Sequence, residues 1–193
     1  MTLPASTMTS FTSEASICFW IKILSWNTSY ATFFQAGLTS TPWTHYIFGF
    51  LRNNATSNCC FTISNSSTSS QNNYKTPDLG LNVWYHITLT YKTGHCCIYM
   101  NGILYNDYST SIVPNFSGIT KIAIGKGTNG SNYQTNCLLN DIRIYNHALS
   151  PKEVYEIAKG LVLHYKLDGN DIGITIPRNG GLIPDGVELY DYI

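Results

Sequence analysis

Apolar and polar residues alternate along much of this chain with the period of two that a half-buried β-strand imposes. In Trp84–Tyr91, the side chains of Ile87, Leu89 and Tyr91 fall on one face while His86, Thr88 and Thr90 fall on the other. The run Ile98-Tyr99-Met100 is followed by Asn101-Gly102 and a second apolar run, the arrangement of a two-residue hairpin turn. The same reading predicts strands at Ala15–Leu24, Tyr30–Ala36, Tyr46–Leu51, Cys59–Ser64, His95–Met100, Ile103–Tyr108, Lys121–Ile124 and Asn136–Tyr145. Ser150-Pro151-Lys152-Glu153 combines an N-cap, a proline in the first turn and a capping-box glutamate, which predicts a helix over Pro151–Lys159 stopped by Gly160. Many short strands without long helical crossovers give an all-β fold: a two-sheet antiparallel β-sandwich with one short helix near the carboxy terminus. Its expected core holds Phe19, Ile21, Ile87, Leu89, Ile98, Ile122, Ile142 and Ile144, with Trp20 and Trp84 also assigned inside. The polar stretch Asn65–Asp78 reads as a long loop.

Composition narrows the partners. Of the 193 residues only 11% are charged, and 11 Lys plus Arg balance 11 Asp plus Glu. Without clustered cations there is no electrostatic basis for nucleic-acid binding, and no run is long enough for membrane insertion. Met1-Thr2-Leu3-Pro4 lacks the basic start and apolar centre of a secretory signal. Cys18, Cys59, Cys60, Cys96, Cys97 and Cys137 do not have the spacing of a metal knuckle, and the adjacent pairs are expected to send one thiol each into the core as reduced, small apolar residues. Asn27, Asn54, Asn65, Asn115 and Asn129 each open a glycosylation acceptor pattern, which the abundance of Asn, Ser and Thr explains.

Two stretches carry a family resemblance: Trp84-Tyr85-His86-Ile87 running on to Tyr99, Asn101 and Gly102, and Asp141-Ile142-Arg143-Ile144-Tyr145-Asn146 ending in Ala148-Leu149-Ser150. With Gly125, they resemble the laminin-G-like jelly roll of the concanavalin A-like lectin and glucanase superfamily, of the tandem-module type found in bacteriophage structural proteins and bacterial surface proteins. Cys18-Phe19-Trp20-Ile21 looks like that family's early inner strand, so most of residues 1–160 is covered. Leu161–Leu167 resembles the strand with which such a domain normally begins. Residues 161–193 therefore either supply a returning strand beside Asn136–Tyr145 that completes the 1–160 sandwich, or start a truncated following module; the first reading is preferred.

The candidate chemistry is that of recognition. Hydrolytic relatives on this fold use paired inner-strand glutamates, whereas Glu14, Glu153, Glu156 and Glu188 form no such pair. His86 reads as a hydrogen-bonded sheet histidine. Sugar binding needs aromatic faces for the C–H surface of a pyranose and amides for its hydroxyls. The candidate ligand-binding residues are Trp26, Tyr30, Trp43, Tyr46, Tyr74, Asn132 and Tyr133, with Trp43 foremost. Many members of the resembled family carry calcium, for which Asp107, Asn140, Asp141 and Asp168 are the oxygen-rich candidates, set against ordinary strand-end carboxylates bonded to backbone N–H.

The expected function is a non-enzymatic recognition module for glycans or a cell-surface glycoprotein, beside neighbouring modules of a larger adhesive or viral tail or fibre protein. That places it in a virion or at an extracellular surface. A structural spacer without its own ligand is the alternative, and a glycoside hydrolase a minor one.

Overall fold

A computed structural model describes residues 1–26, 30–38, 46–52, 58–65, 71–126, 136–159, 163–165 and 187–189. Its elements run β1 (Thr2–Leu3), α1 (Ser6–Thr9), β2 (Glu14–Ser25), β3 (Ala31–Gly37), β4 (Tyr46–Arg52), β5 (Asn58–Ser64), β6 (Gln71–Asp78), β7 (Trp84–Lys92), β8 (His95–Met100), β9 (Ile103–Ser109), β10 (Lys121–Ile124), β11 (Asn136–Tyr145), α2 (Pro151–Ala158), β12 (Leu163–Tyr165) and β13 (Val187–Leu189). A six-stranded sheet, β1-β10-β3-β4-β5-β6, packs on a five-stranded sheet, β11-β2-β7-β8-β9, and neighbouring strands are antiparallel throughout. The predicted two-sheet sandwich is the observed one.

Period two decides which side chains enter the core. Ile17, Phe19, Ile21 and Ile23 of β2 and Ile87, Leu89 and Tyr91 of β7 are buried in the layer between the sheets. There they meet a phenylalanine cluster in which Phe50 packs on Phe19 at 5.6 Å and on Phe33 at 5.4 Å between ring centroids. Phe116, in a short 3-10 turn over Phe116–Gly118, packs on both Phe48 and Tyr91. In β3 the register skips Phe33, so that Phe33 and Phe34 both join the core. Of the expected core, Phe19, Ile21, Ile87, Leu89, Ile98 and Ile122 are buried, while Ile142 and Ile144 lie at its margin on the edge strand β11.

The hairpin and the helix form where local sequence placed them. Asn101 and Gly102 take φ values of 50° and 82°, both in the left-handed region that a tight hairpin of this hand requires. Ser150 caps α2: its Oγ accepts from the Glu153 N–H, and Glu153 Oε2 accepts from the Ser150 N–H at 2.7 Å. Val154 then buries against Leu149 and Tyr99, fixing α2 over the outer face of the five-stranded sheet.

Two expectations are corrected. The predicted loop Asn65–Asp78 contains β6, an edge strand held to β5 by backbone pairing, with Tyr74 and Thr76 facing inward and Asn73 and Lys75 outward. Trp84 is 39% exposed and Trp20 only partly buried, because each has the parity opposite to its strand's core residues. Of Leu161–Leu167, the described part, β12, pairs with β13 in a two-stranded sheet. All six cysteines are free thiols; Cys59 and Cys96 join the core cluster between the sheets, whereas Cys60, also buried, and the half-buried Cys97 lie outside that cluster. Among the described residues no helix is long and apolar enough to cross a membrane.

Candidate functional site

Strand register writes out the outer face of the five-stranded sheet row by row. Leu138, Lys22 and Trp84 form one cross-strand row, and Asn140, Trp20 and His86 the next. The residues between them, Ile21 with Leu139 and Tyr85, turn inward to the core. Directly opposed residues on neighbouring strands have Cβ atoms only about 5 Å apart, so these two rows make one continuous surface. At its open margin Trp84 and Leu138 (47% exposed) flank Lys22, with exposed Val83 and Leu81 just before β7. A bulge in β11 between Asn140 and Arg143 shapes the adjoining edge, where Asp141 has φ of 48°. There Arg143 donates from Nε and Nη2 to the two oxygens of Asp141, both at 2.7 Å, and this bonding raises the arginine pKa further above its already high range. Asn140 Oδ1 accepts from the Asp141 N–H, which leaves its amide donors toward solvent. Among the described residues Lys22 has no anionic partner, since the ion pairs are Lys92 with Glu14, His95 with Asp107 and Arg143 with Asp141.

The inner end of this surface is closed. Trp20 meets His86 edge-on at 5.2 Å, and His86 is 1% exposed. Among the described residues neither ring nitrogen of His86 has a hydrogen-bond partner, nor has the Thr88 hydroxyl in the next row, which corrects the expected hydrogen-bonded histidine. Burial lowers the His86 pKa to about 4, Asp141 working against that shift and Arg143 with it. The imidazole is therefore neutral at physiological pH.

The residues singled out from sequence scatter. Trp43, Asn132, Tyr133 and Asp168 lie outside the described residues. Trp26 leaves the end of β2, half-buried, with the Arg52 guanidinium 4.4 Å above its ring, and Tyr30 (37% exposed) enters β3 at the same end of the sandwich. Tyr46 opens β4 opposite Gly37, at the other end. Tyr74 is only 8% exposed and stacked on Tyr108 at 4.6 Å, a core position rather than the loop position expected. Of the calcium candidates, Asn140 and Asp141 sit on β11 and Asp107 on β9, at opposite edges of the sheet, where Asp107 meets His95. They do not converge, and among the described residues no three His, Cys, Asp or Glu side chains are grouped as metal ligands would be. Glu14 accepts from the Ala148 N–H and pairs with Lys92, which lowers its pKa, and Ser16 binds both His147 O and Leu149 N; β2 thereby clasps the segment leading to α2.

Trp20, Lys22 and Trp84 were missed as surface residues, although parity alone could have found them. Trp84 shares its parity with His86, Thr88 and Thr90, and Trp20 and Lys22 alternate with Phe19 and Ile21.

Comparison with known proteins places these features in context. The family described as the concanavalin A-like lectin/glucanases superfamily matches residues 1–155. No curated protein matches the chain. Among solved structures, the receptor binding domain of botulinum neurotoxin mosaic serotype C/D, with a tetraethylene glycol molecule bound, superposes with a TM-score of 0.61 at 18% identity, over 78% of this chain and 37% of that one. Domain 4 of AbnA, an extracellular arabinanase of Geobacillus stearothermophilus, was solved in complex with arabinotriose; it gives 0.63 at 23% identity, over 81% of this chain and 71% of that one. Trypanosoma rangeli sialidase gives 0.57 at 16% identity, over 76% of this chain and 22% of that one. This chain thus spans little more than a third of the toxin domain it resembles. At these identities the likeness is one of fold.

Proposed function

Since the chain belongs to the concanavalin A-like lectin/glucanases superfamily, we propose that it is a non-catalytic glycan-recognition module whose ligand stacks on Trp84. The observation that carries this reading is the exposure of the Trp84 indole from a sheet face that also presents Asn140 and Lys22. An indole on an open face offers an apolar, electron-rich surface to the axial C–H bonds of a pyranose, and amide and ammonium donors beside it suit ring hydroxyls. Tyr30, 37% exposed at the same end of the sandwich, adds an aromatic surface for a longer oligosaccharide. The arabinotriose complex of the arabinanase domain supports a sugar ligand for this fold. Glu14 and Glu153 have structural bonds, which supports recognition without hydrolysis. Such a module works at an extracellular or virion surface within a larger protein.

A glycan array followed by calorimetric titration tests the assignment. Trp84→Ala is expected to weaken binding at least tenfold, as a central aromatic anchor does when truncated. Trp43→Ala and Tyr46→Ala are expected to change it little. Loss in Tyr46→Ala with Trp84→Ala unaffected would move the ligand to the other end of the sandwich, and silence toward every glycan would remove it.

A further inference from the structure

We propose that the sugar held at Trp84 is acidic, a pyranose whose carboxylate pairs with the Lys22 ammonium; this rests on the glycan reading above. Register puts Lys22 directly between Trp84 and Leu138, both exposed, on the outer face; a lysine so placed can lay its aliphatic stem along apolar neighbours and hold its charge at their rim. A carboxyl substituent on a ring stacked over the indole comes within the span of a lysine side chain on the neighbouring strand, about 5 Å away at Cβ. Among the described residues no ion pair engages Lys22, and the acids of its own sheet are taken: Asp141 by Arg143, Glu14 by Lys92, and Asp107 by His95 at the far edge. The chain as a whole is neutral, with 11 basic and 11 acidic residues, so any preference for an anion must come from such a local charge and not from a general field. One point charge flanked by apolar surface fits one carboxylate on a sugar. A polyphosphate or nucleic acid would need several cations, and a neutral ring would leave the ammonium without a charged partner.

The test uses the full chain and two ligands, an oligosaccharide ending in glucuronic acid and one ending in sialic acid, each beside its carboxyl-reduced counterpart. Calorimetric titration at low salt is expected to give at least one acid form binding about tenfold tighter than its reduced form. That ratio is expected to fall toward unity as ionic strength rises. Lys22→Gln and Lys22→Met, the second keeping the stem, are expected to erase the preference, each acid form then binding no tighter than its reduced counterpart; Lys22→Arg keeps it. Which acid shows the effect identifies the sugar. Equal affinity for acid and reduced forms, or a preference that survives both neutral variants, overturns the acidic ligand alone. If none of the four sugars binds and Trp84→Ala changes no glycan signal, the glycan reading fails and takes this one with it.

Discussion

His86 is a buried imidazole with two bare nitrogens, and that has a measurable signature in stability. Its pKa falls from the usual 6.5 to about 4 in the folded chain, chiefly through burial. Above pH 6.5 both states are neutral and the full stability is present. As pH drops from 6.5 to about 4 the unfolded chain takes up a proton that the folded chain refuses, so stability declines by up to about 3 kcal/mol; below pH 4 this group contributes no further loss. Glu14, whose pKa is lowered, removes its share only below its ordinary 4.5. Urea titrations across this range should therefore slope between pH 6.5 and 4, and His86→Phe should flatten the slope, because it removes both orphan nitrogens while still packing on Trp20. An unchanged slope in that variant would mean that His86 is solvated after all. At this scale the sequence shows parity and little else: it separates Trp84 from Ile87, but not how deeply Trp84, His86 and Thr88, all on one face, are covered.

The elements show where local code suffices. Asn101-Gly102 and the Ser150 capping box form as their sequences dictate because each is decided within four residues. Gly102 carries a second constraint that no sequence reveals: a Cβ there would lie 3.1 Å from Ala158 Cβ and 3.2 Å from Tyr155 Cα, against α2. Gly94, at φ of 91°, has open space around the same position. Gly94→Ala should therefore cost only backbone strain, about 1 kcal/mol, whereas Gly102→Ala should cost about 2–3 kcal/mol because the helix must also shift. Denaturant unfolding of the two variants checks the difference, and equal losses would show that α2 yields freely. Ser150→Ala should lose about 1 kcal/mol without touching glycan affinity. β6 escaped the sequence reading because the inward residues described on it, Tyr74 and Thr76, make too short an apolar pattern, and its place depends on backbone bonds to a partner strand.

On the scale of the whole molecule, the number and kind of sheets are legible in the alternating pattern. Strand order is not, because many short strands of similar composition could exchange neighbours. The proposed recognition surface is drawn from three strands, β11, β2 and β7, that are remote in sequence, so only the assembled sheet brings Leu138, Lys22 and Trp84 into a row. The pairing of β12 with β13 likewise joins distant segments, and leaves β11 with β2 as its partner among the described strands. A chain ending at Lys159 should accordingly melt in one cooperative transition and elute as a monomer; aggregation of that fragment would restore the returning strand to the sandwich. The six free thiols carry a different message. Burial raises the pKa of each, to about 12 for Cys18 and about 11 for Cys137, so at neutral pH almost none is a reactive thiolate. In an oxidising medium the native protein is chemically quiet, and each excursion to an open state exposes a burst of nucleophiles. The rate at which a disulfide reagent consumes the buried thiols of Cys18, Cys59, Cys60 and Cys96 is then a stopwatch for spontaneous opening, readable without denaturant, heat or any introduced label.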